Sequence, residues 1–146
     1  MIGMEIRKLT VADWQESYIL WKNCDGVGIR EKDDSQAGFE RFLKRNPDTC
    51  FAAVDSGGAV CATVLAGNDG RRGYIYHLAV APEYRNHGLG SALVERVLYA
   101  LNECGIEKAA VVVYKNNNSG NAFWEKRGFK TRSDLLYRDM ELYNVN

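Results

Sequence analysis

Between Val80 and Leu98 the chain reads VAPEYRNHGLGSALVERVL, a proline turn that runs into an amphipathic helix. Arg85, Gly88 and Gly90 stand at the mouth of that helix. One Ser, Thr, Asp or Asn would be enough to start a helix, so two glycines and a cation call for another explanation. The first backbone N–H groups of a helix have no partner inside it. With the positive end of the helix dipole they form an anion site. Glycine at 88 and 90 removes the side chains that would hold a bulky ligand away from those donors. Arg85 adds a full charge and a fork that matches phosphate oxygens. The turn Arg85-Asn86-His87-Gly88-Leu89-Gly90-Ser91 is therefore expected to cradle a phosphate or pyrophosphate. It is not a Walker loop, since no lysine follows Gly90, and the dinucleotide pattern fails where Leu93 replaces the third glycine. On these residues alone, a Gly88 that serves only the turn stays open.

Other groups able to do chemistry lie on the preceding segment, Gly73 to Val80, which reads as a strand. Period-two geometry puts Tyr74, Tyr76 and Leu78 on one face and Ile75, His77 and Ala79 on the other. An imidazole is the side chain type best suited to proton transfer near neutral pH, but the parity of His77 sets it apart from the two tyrosines unless a bulge shifts the register. His87, inside the turn, is expected beside a ligand or in solvent. Glu31, Asp33 and Asp34 could draw a cationic amine. Arg30 and Lys32 interleave with them, so a solvated loop is the expectation there.

These residues need a scaffold. Met4 to Leu9 alternates as a strand. Thr10 caps a helix, with Asp13 completing a capping box. That helix is expected to reach about Asn23 and to bury Val11, Trp14, Tyr18 and Trp21. Ser35 caps a second helix, ending near Arg45, with Phe39, Phe42 and Leu43 as its apolar side. Strands follow at Cys50–Asp55, Ala59–Ala66 and Gly73–Val80, joined by turns at Ser56-Gly57-Gly58 and Gly67-Asn68-Asp69-Gly70. The helix after the glycine turn buries Leu89, Leu93, Val94, Val97, Leu98 and Leu101, and Gly105 ends it. Ala109–Tyr114 is a strand covered on both faces. Asn121–Arg127 is a short helix, and Leu135–Leu142 a final strand. The fold class is α/β (α+β): one domain over residues 1–146, with a mixed, mostly antiparallel central sheet flanked by helices. The unit from Gly73 to Tyr114 is a parallel crossover.

Composition narrows the function. Lys plus Arg and Asp plus Glu both number 19, so the basic excess of a general nucleic-acid binder is missing. Cys24, Cys50, Cys61 and Cys104 show no C-x-x-C spacing, which speaks against a zinc or redox motif; they are expected to be reduced, mostly buried thiols, and no metal is expected. With no leader-like or long apolar segment, neither export nor membrane contact is expected, and the cytoplasm is the expected compartment. A homodimer is left open.

The motif Arg85-x-x-Gly88-x-Gly90, between a strand and a helix, resembles that of the Gcn5-related N-acetyltransferase (GNAT) superfamily. HLAVAPEYR before it resembles the family's lead-in, and NAFWEKRGF its terminal helix and strand. The element order is similar over nearly the whole chain, most of all to small stand-alone bacterial members. The resemblance implies the GNAT-like acyl-CoA N-acyltransferase fold, with acetyl-CoA as donor and no metal. Its pyrophosphate would lie on the backbone of residues 85 to 91, and its pantetheine arm against Leu78, Ala79 and Val80, pairing with the backbone of Leu78 and Val80. Asn117 falls where the family often has an asparagine on that arm; a loop-capping side chain is the alternative. Trp124 stands where the family often has a tyrosine acid, so it is expected as a wall of the arm's site or as core. The family's base positions match Tyr74 and Tyr76, and Tyr114 could also face the cleft. A glutamate base of the subgroup most resembled corresponds to Val112. The expected activity is transfer of acetyl to a primary amine, of a small molecule or a protein N-terminus. The alternative is a non-catalytic acyl-CoA-binding or regulatory domain of the same fold.

Overall fold

The computed structural model describes residues 3–142. Five strands build one sheet in the order β1-β2-β3-β4-β5: β1 (Glu5–Lys8), β2 (Phe51–Val54), β3 (Val60–Asn68), β4 (Gly73–Val80) and β5 (Ala109–Val111). The first four pair antiparallel, β2 with β3 and β3 with β4 through the two expected hairpins and β1 with β2 across the two intervening helices. β5 returns parallel to β4 after the helix α3 (Leu89–Glu103).

Helices α1 (Trp14–Lys22) and α2 (Gln36–Arg45) cover one face of the sheet. Trp21, Phe39 and Leu43 pack there on Cys50, Ala52, Leu65 and Ala79. Leu89, Leu93, Val97 and Leu101 of α3 cover the other face, on Phe51, Ala53, Val64 and Ile75. Both sides of β2 are buried. The short α4 (Asn118–Lys126) closes the described part of the fold.

The caps form as read. Ser35 Oγ accepts from Gly38 N at 3.1 Å. Thr10 N donates to Asp13 Oδ2 at 2.8 Å, ahead of a short 3-10 turn that leads into α1. Asp13 also takes a forked pair from Arg7 at 2.8 and 2.9 Å. Burial by itself pushes the Asp13 carboxyl up, but the bonds from Arg7 and Thr10 outweigh it and hold the group below its ordinary value. A carboxyl held low in the fold stabilises above its unfolded value and loses that contribution as pH falls through the folded one. Asp13→Ala should therefore cost about 2 kcal/mol in urea unfolding at neutral pH. The gap to the parent should close as the buffer is taken below the usual carboxylate range.

Several expectations need correction. Val11 is 51% exposed, because it sits in the 3-10 turn, ahead of the helix proper. Leu135–Leu142 does not form a strand and has no ladder partner among the described residues. Leu135, Leu136, Tyr137, Met140 and Leu142 are all exposed. β5 stops at Val111, and Val112 is 71% exposed, so the valine run is not covered on both faces. Leu98 lies at the margin of the α3 stripe, exposed where Leu101 is buried. α4 starts at Asn118, three residues earlier than expected, because the Asn117 side chain caps it. Cys104 is exposed, while Cys24, Cys50 and Cys61 are buried. Burial pushes the Cys50 thiol up to about 11, which leaves it an inert core group.

Candidate active site

β5 keeps register with β4 only over Gly73–Ile75. Beyond Ile75 the two strands part, and the β5-side edge of β4 lies open. Ala81 N donates to Cys61 O at 2.9 Å, and Ala79 stands opposite Thr63. By strand alternation the backbone groups of Leu78 and Val80 therefore point away from β3, into the gap. This gap is the floor of a cleft of about 1530 Å³. Its walls are the loop after α1, the glycine turn, residues 110–114 and α4. Such a volume exceeds that of an ordinary small-ligand pocket.

The glycine turn forms one end. Asn86 (φ 65°) and Gly88 (φ 81°) are both left-handed, and a 3-10 turn at Pro82–Tyr84 precedes them. The backbone N–H groups of Asn86, His87, Gly88, Leu89, Gly90 and Ser91 have no acceptor among the described residues; the first bond into the helix is Ala92 N to Gly88 O at 3.1 Å. Six successive free donors at a helix mouth make an anion nest. A side chain on Gly88 would meet nothing within 4 Å, so the space over the donors is open. A Cβ on Gly90 would touch only Phe123 and Val80, at ordinary contact distances. Leu89 is buried under the turn, while His87 is exposed. Arg85 does not hold its fork over the donors. Its Nε donates to Val80 O at 2.9 Å and its Nη2 lies 3.6 Å from Cys24 Sγ, because the Val80 carbonyl has no strand partner on that side.

A bulge in β4 changes the expected parity. Thr63 faces Ala79 and Leu65 faces Tyr76, so two steps along β3 span three along β4. The extra residue falls at His77, whose φ is 49°. The bulge turns His77 to the α1–α2 side with Tyr74 and Tyr76, where its ring meets Trp21 edge-on at 4.6 Å. Leu78 instead packs with the α3 core, and Ala79 with the α1 core. Thr63 Oγ1 donates to His77 O at 3.0 Å and accepts from Trp21 Nε1 at 2.8 Å, which locks the bulge. The expectation of a solvated acidic loop holds for Asp33, at 64% side-chain exposure, and fails for Asp34. Asp34 is 6% exposed and its Oδ1 lies 2.9 Å from His77 Nε2. No local pattern marks this pair, since 43 residues separate its members.

Tyr74, Tyr76 and Tyr114 all line the cleft. Partial burial, then Tyr137, Tyr74 and Asp33, hold the Tyr76 phenol above its ordinary value; Phe42 packs edge-on against it at 5.9 Å. Tyr114 and Asn117 reach across to the loop after α1, where a side chain on Gly28 would overlap the Tyr114 hydroxyl and one on Gly26 would come 2.8 Å from Asn117 Nδ2. Asn117 Oδ1 accepts from Gly120 N at 2.9 Å, the capping role held open above. Trp124 is a wall of the cleft, half-buried between Phe123 and Phe129 at 5.2 and 5.0 Å. Tyr137 and Asp139, which no sequence motif marks, also line the cleft. Arg30 ties this segment down through a forked pair to Glu141 at 2.8 Å. Among the described residues no helix is long and apolar enough to cross a membrane.

Comparison with known proteins places this arrangement. The family model described as "Acetyltransferase (GNAT) family" matches residues 9–129. Acetyltransferase YE1169 of Yersinia enterocolitica is 32% identical over 133 residues, 91% of this chain and 92% of that protein. The fold is similar to that of Ard1 from Thermoplasma volcanium, with TM-score 0.79 and 20% identity over 90% of this chain and 86% of that one. It is also similar to that of PaiA N-acetyltransferase from Thermoplasma acidophilum, solved with coenzyme A, with TM-score 0.76 and 18% identity over 90% and 92%.

Proposed function

Because the chain belongs to the acetyltransferase (GNAT) family, we propose that it moves the acetyl group of acetyl-CoA onto a primary amine of a small molecule or of a protein N-terminus. The observation that carries this reading is the run of unpartnered N–H groups from Asn86 to Ser91 under the open face of Gly88. A coenzyme A diphosphate is a ligand of the right charge and width for it. Leu78 and Val80 offer a strand edge to the amide-bearing arm, and Arg85 leaves the Val80 carbonyl as the arm pairs there. Ala79 shapes the floor between them, and Trp124 packs beside the arm. Asn117 keeps the α4 mouth in shape.

The donor supplies an activated acyl carbon. The chain has to strip the amine of its proton, since an alkyl ammonium has a pKa near ~10.4, and to exclude water. Tyr74, Tyr76 and Tyr114 line the approach of the acceptor and order it. The leaving thiol needs little help: a group of this kind ionises near ~8.5. A tryptophan at 124, which donates but cannot serve as an acid at neutral pH, is therefore tolerable.

Thermal unfolding with acetyl-CoA, coenzyme A and ATP tests the reading. Acetyl-CoA at about 100 times its dissociation constant should add roughly 2.7 kcal/mol. Stabilisation by ATP and not by acetyl-CoA would refute it. Thiol release with an alkyl diamine, an amino sugar and a peptide with a free N-terminus then separates a transferase from an acyl-CoA-binding domain of the same fold.

A further inference from the structure

Arg85 has two acceptors within its reach, and the one it holds lies where a donor's arm has to pair. Its backbone is fixed at the end of the 3-10 turn, where its N–H donates to Pro82 O at 3.3 Å. From that root the side chain stands between the strand edge of β4 and the free N–H groups that begin at Asn86. It is exposed, and among the described residues no carboxylate pairs with it. An exposed arginine of this kind ordinarily keeps its head in water. Here Nε donates to Val80 O at 2.9 Å instead, and Nη2 lies 3.6 Å from Cys24 Sγ. Cys24, just after α1, is buried, and its Sγ lies 3.9 Å from the same carbonyl. The Val80 carbonyl points away from β3, since Ala81 N, one residue on, is the group that bonds Cys61 O. The guanidinium thus covers the open edge of β4 as a neighbouring strand would. Arg85, Val80 and Cys24 all line the cleft.

We propose that Arg85 is a latch that makes docking of the donor's arm conditional on the donor's diphosphate. On Val80 O the guanidinium and an arm amide compete for one carbonyl, so an arm pairs with β4 only after Arg85 has left. A diphosphate on the N–H groups of residues 86–91 gives Arg85 a stronger acceptor, because charged phosphate oxygens bind a guanidinium fork better than a neutral carbonyl does. A thioester whose arm carries no diphosphate offers nothing in exchange and has to break the latch unaided. Arg85 therefore selects by opposing the wrong donor as well as by holding the right one. This rests on the acetyl-CoA reading above and adds a specificity-determining residue to it. The coupling is reciprocal: the factor by which the diphosphate half strengthens binding of the arm is the factor by which the arm strengthens binding of that half.

Titrating the two halves of the donor tests this. The arm half is S-acetylpantetheine, and the other is adenosine 3′-phosphate 5′-diphosphate. Both are measured by ligand-observed NMR, which reaches millimolar affinities, on the parent and on Arg85→Met. Methionine keeps an unbranched stem and removes every donor, and at an exposed position it leaves the fold intact by circular dichroism. Arg85→Met should weaken acetyl-CoA and the nucleotide half each about 10-fold. The same change should tighten S-acetylpantetheine about threefold or more. A residue that only adds affinity would not produce these opposite signs. In the parent, a saturating nucleotide half should tighten S-acetylpantetheine by that same factor, within about twofold, and in Arg85→Met it should change nothing. S-acetylpantetheine that binds Arg85→Met no tighter than the parent, undetectable binding to both included, overturns the latch and leaves acetyl-CoA as donor. So does a nucleotide half without effect on the arm in the parent. If the parent binds neither acetyl-CoA nor the nucleotide half, the donor reading itself falls and the latch with it.

Discussion

Gly88→Val is expected to weaken acetyl-CoA binding at least about 100-fold, equivalent to about 2.7 kcal/mol, while the chain still folds. Two effects meet at this residue and can be told apart. Its φ of 81° lies where a β-branched side chain is strained, which costs on the order of 1–3 kcal/mol of stability. A Cβ there meets no protein atom within 4 Å, so the added methyl groups stand in the space over the six free donors. The first effect lowers stability wherever it occurs; the second acts only on a ligand in the turn. Gly70 provides the control. It has φ 87° and equally open surroundings, but it belongs to the β3–β4 hairpin. Gly70→Val should lose similar stability and bind acetyl-CoA as the parent does. Titration calorimetry on the three proteins, each well below its melting point, reads both numbers. Equal affinity in Gly88→Val and the parent would move the diphosphate to another part of the cleft and remove the main support for the proposed donor site.

The same residues show what local chemistry makes legible. The Ser35 cap, the left-handed Gly105 and the first hairpin are written within a few residues of where they act, and each forms as read; the second hairpin forms with a shorter turn, because Gly67 and Asn68 still pair in β3. The features that failed depend on distant partners. No pattern within Gly73–Val80 marks a bulge at His77, because Thr63 and Trp21 hold it from 14 and 56 residues away in sequence. Asp34 reads as one acid among alternating charges until α1, the loop and β4 close around it. The tyrosines illustrate both cases: Tyr74 and Tyr76 keep the period-two parity read for them, whereas Leu78 and Ala79 exchange faces beyond the extra residue. For Leu135–Leu142 the alternation is present in the sequence, but a strand also needs a ladder partner, and the described residues provide none.

Gly38→Ala reverses a common rule and should destabilise the fold. Inside a helix, glycine to alanine ordinarily stabilises by about 0.5–1 kcal/mol, since alanine loses less backbone freedom on folding. Gly38 lies in the first turn of α2, where its N–H receives the Ser35 cap. A Cβ there would overlap the carbonyl oxygens of Lys32 and Asp33 and come 2.7 Å from the Asp33 carbonyl carbon. These are backbone atoms of the loop that presents Asp34 to His77, and Ser35 Oγ further binds that loop by donating to Lys32 O at 2.7 Å. Relief requires moving either the helix or the loop, so the variant should lose about 2 kcal/mol or more, a fall in Tm of about 4–8 °C for a domain of this size. Gly57→Ala is the comparison: its Cβ would come no closer than 3.4 Å to the flexible Asp55 carboxylate, and its stability should stay within about 0.5 kcal/mol of the parent. Scanning calorimetry of the two variants decides the matter. A Gly38→Ala protein as stable as the parent would mean that the 32–34 loop does not sit on α2 as described.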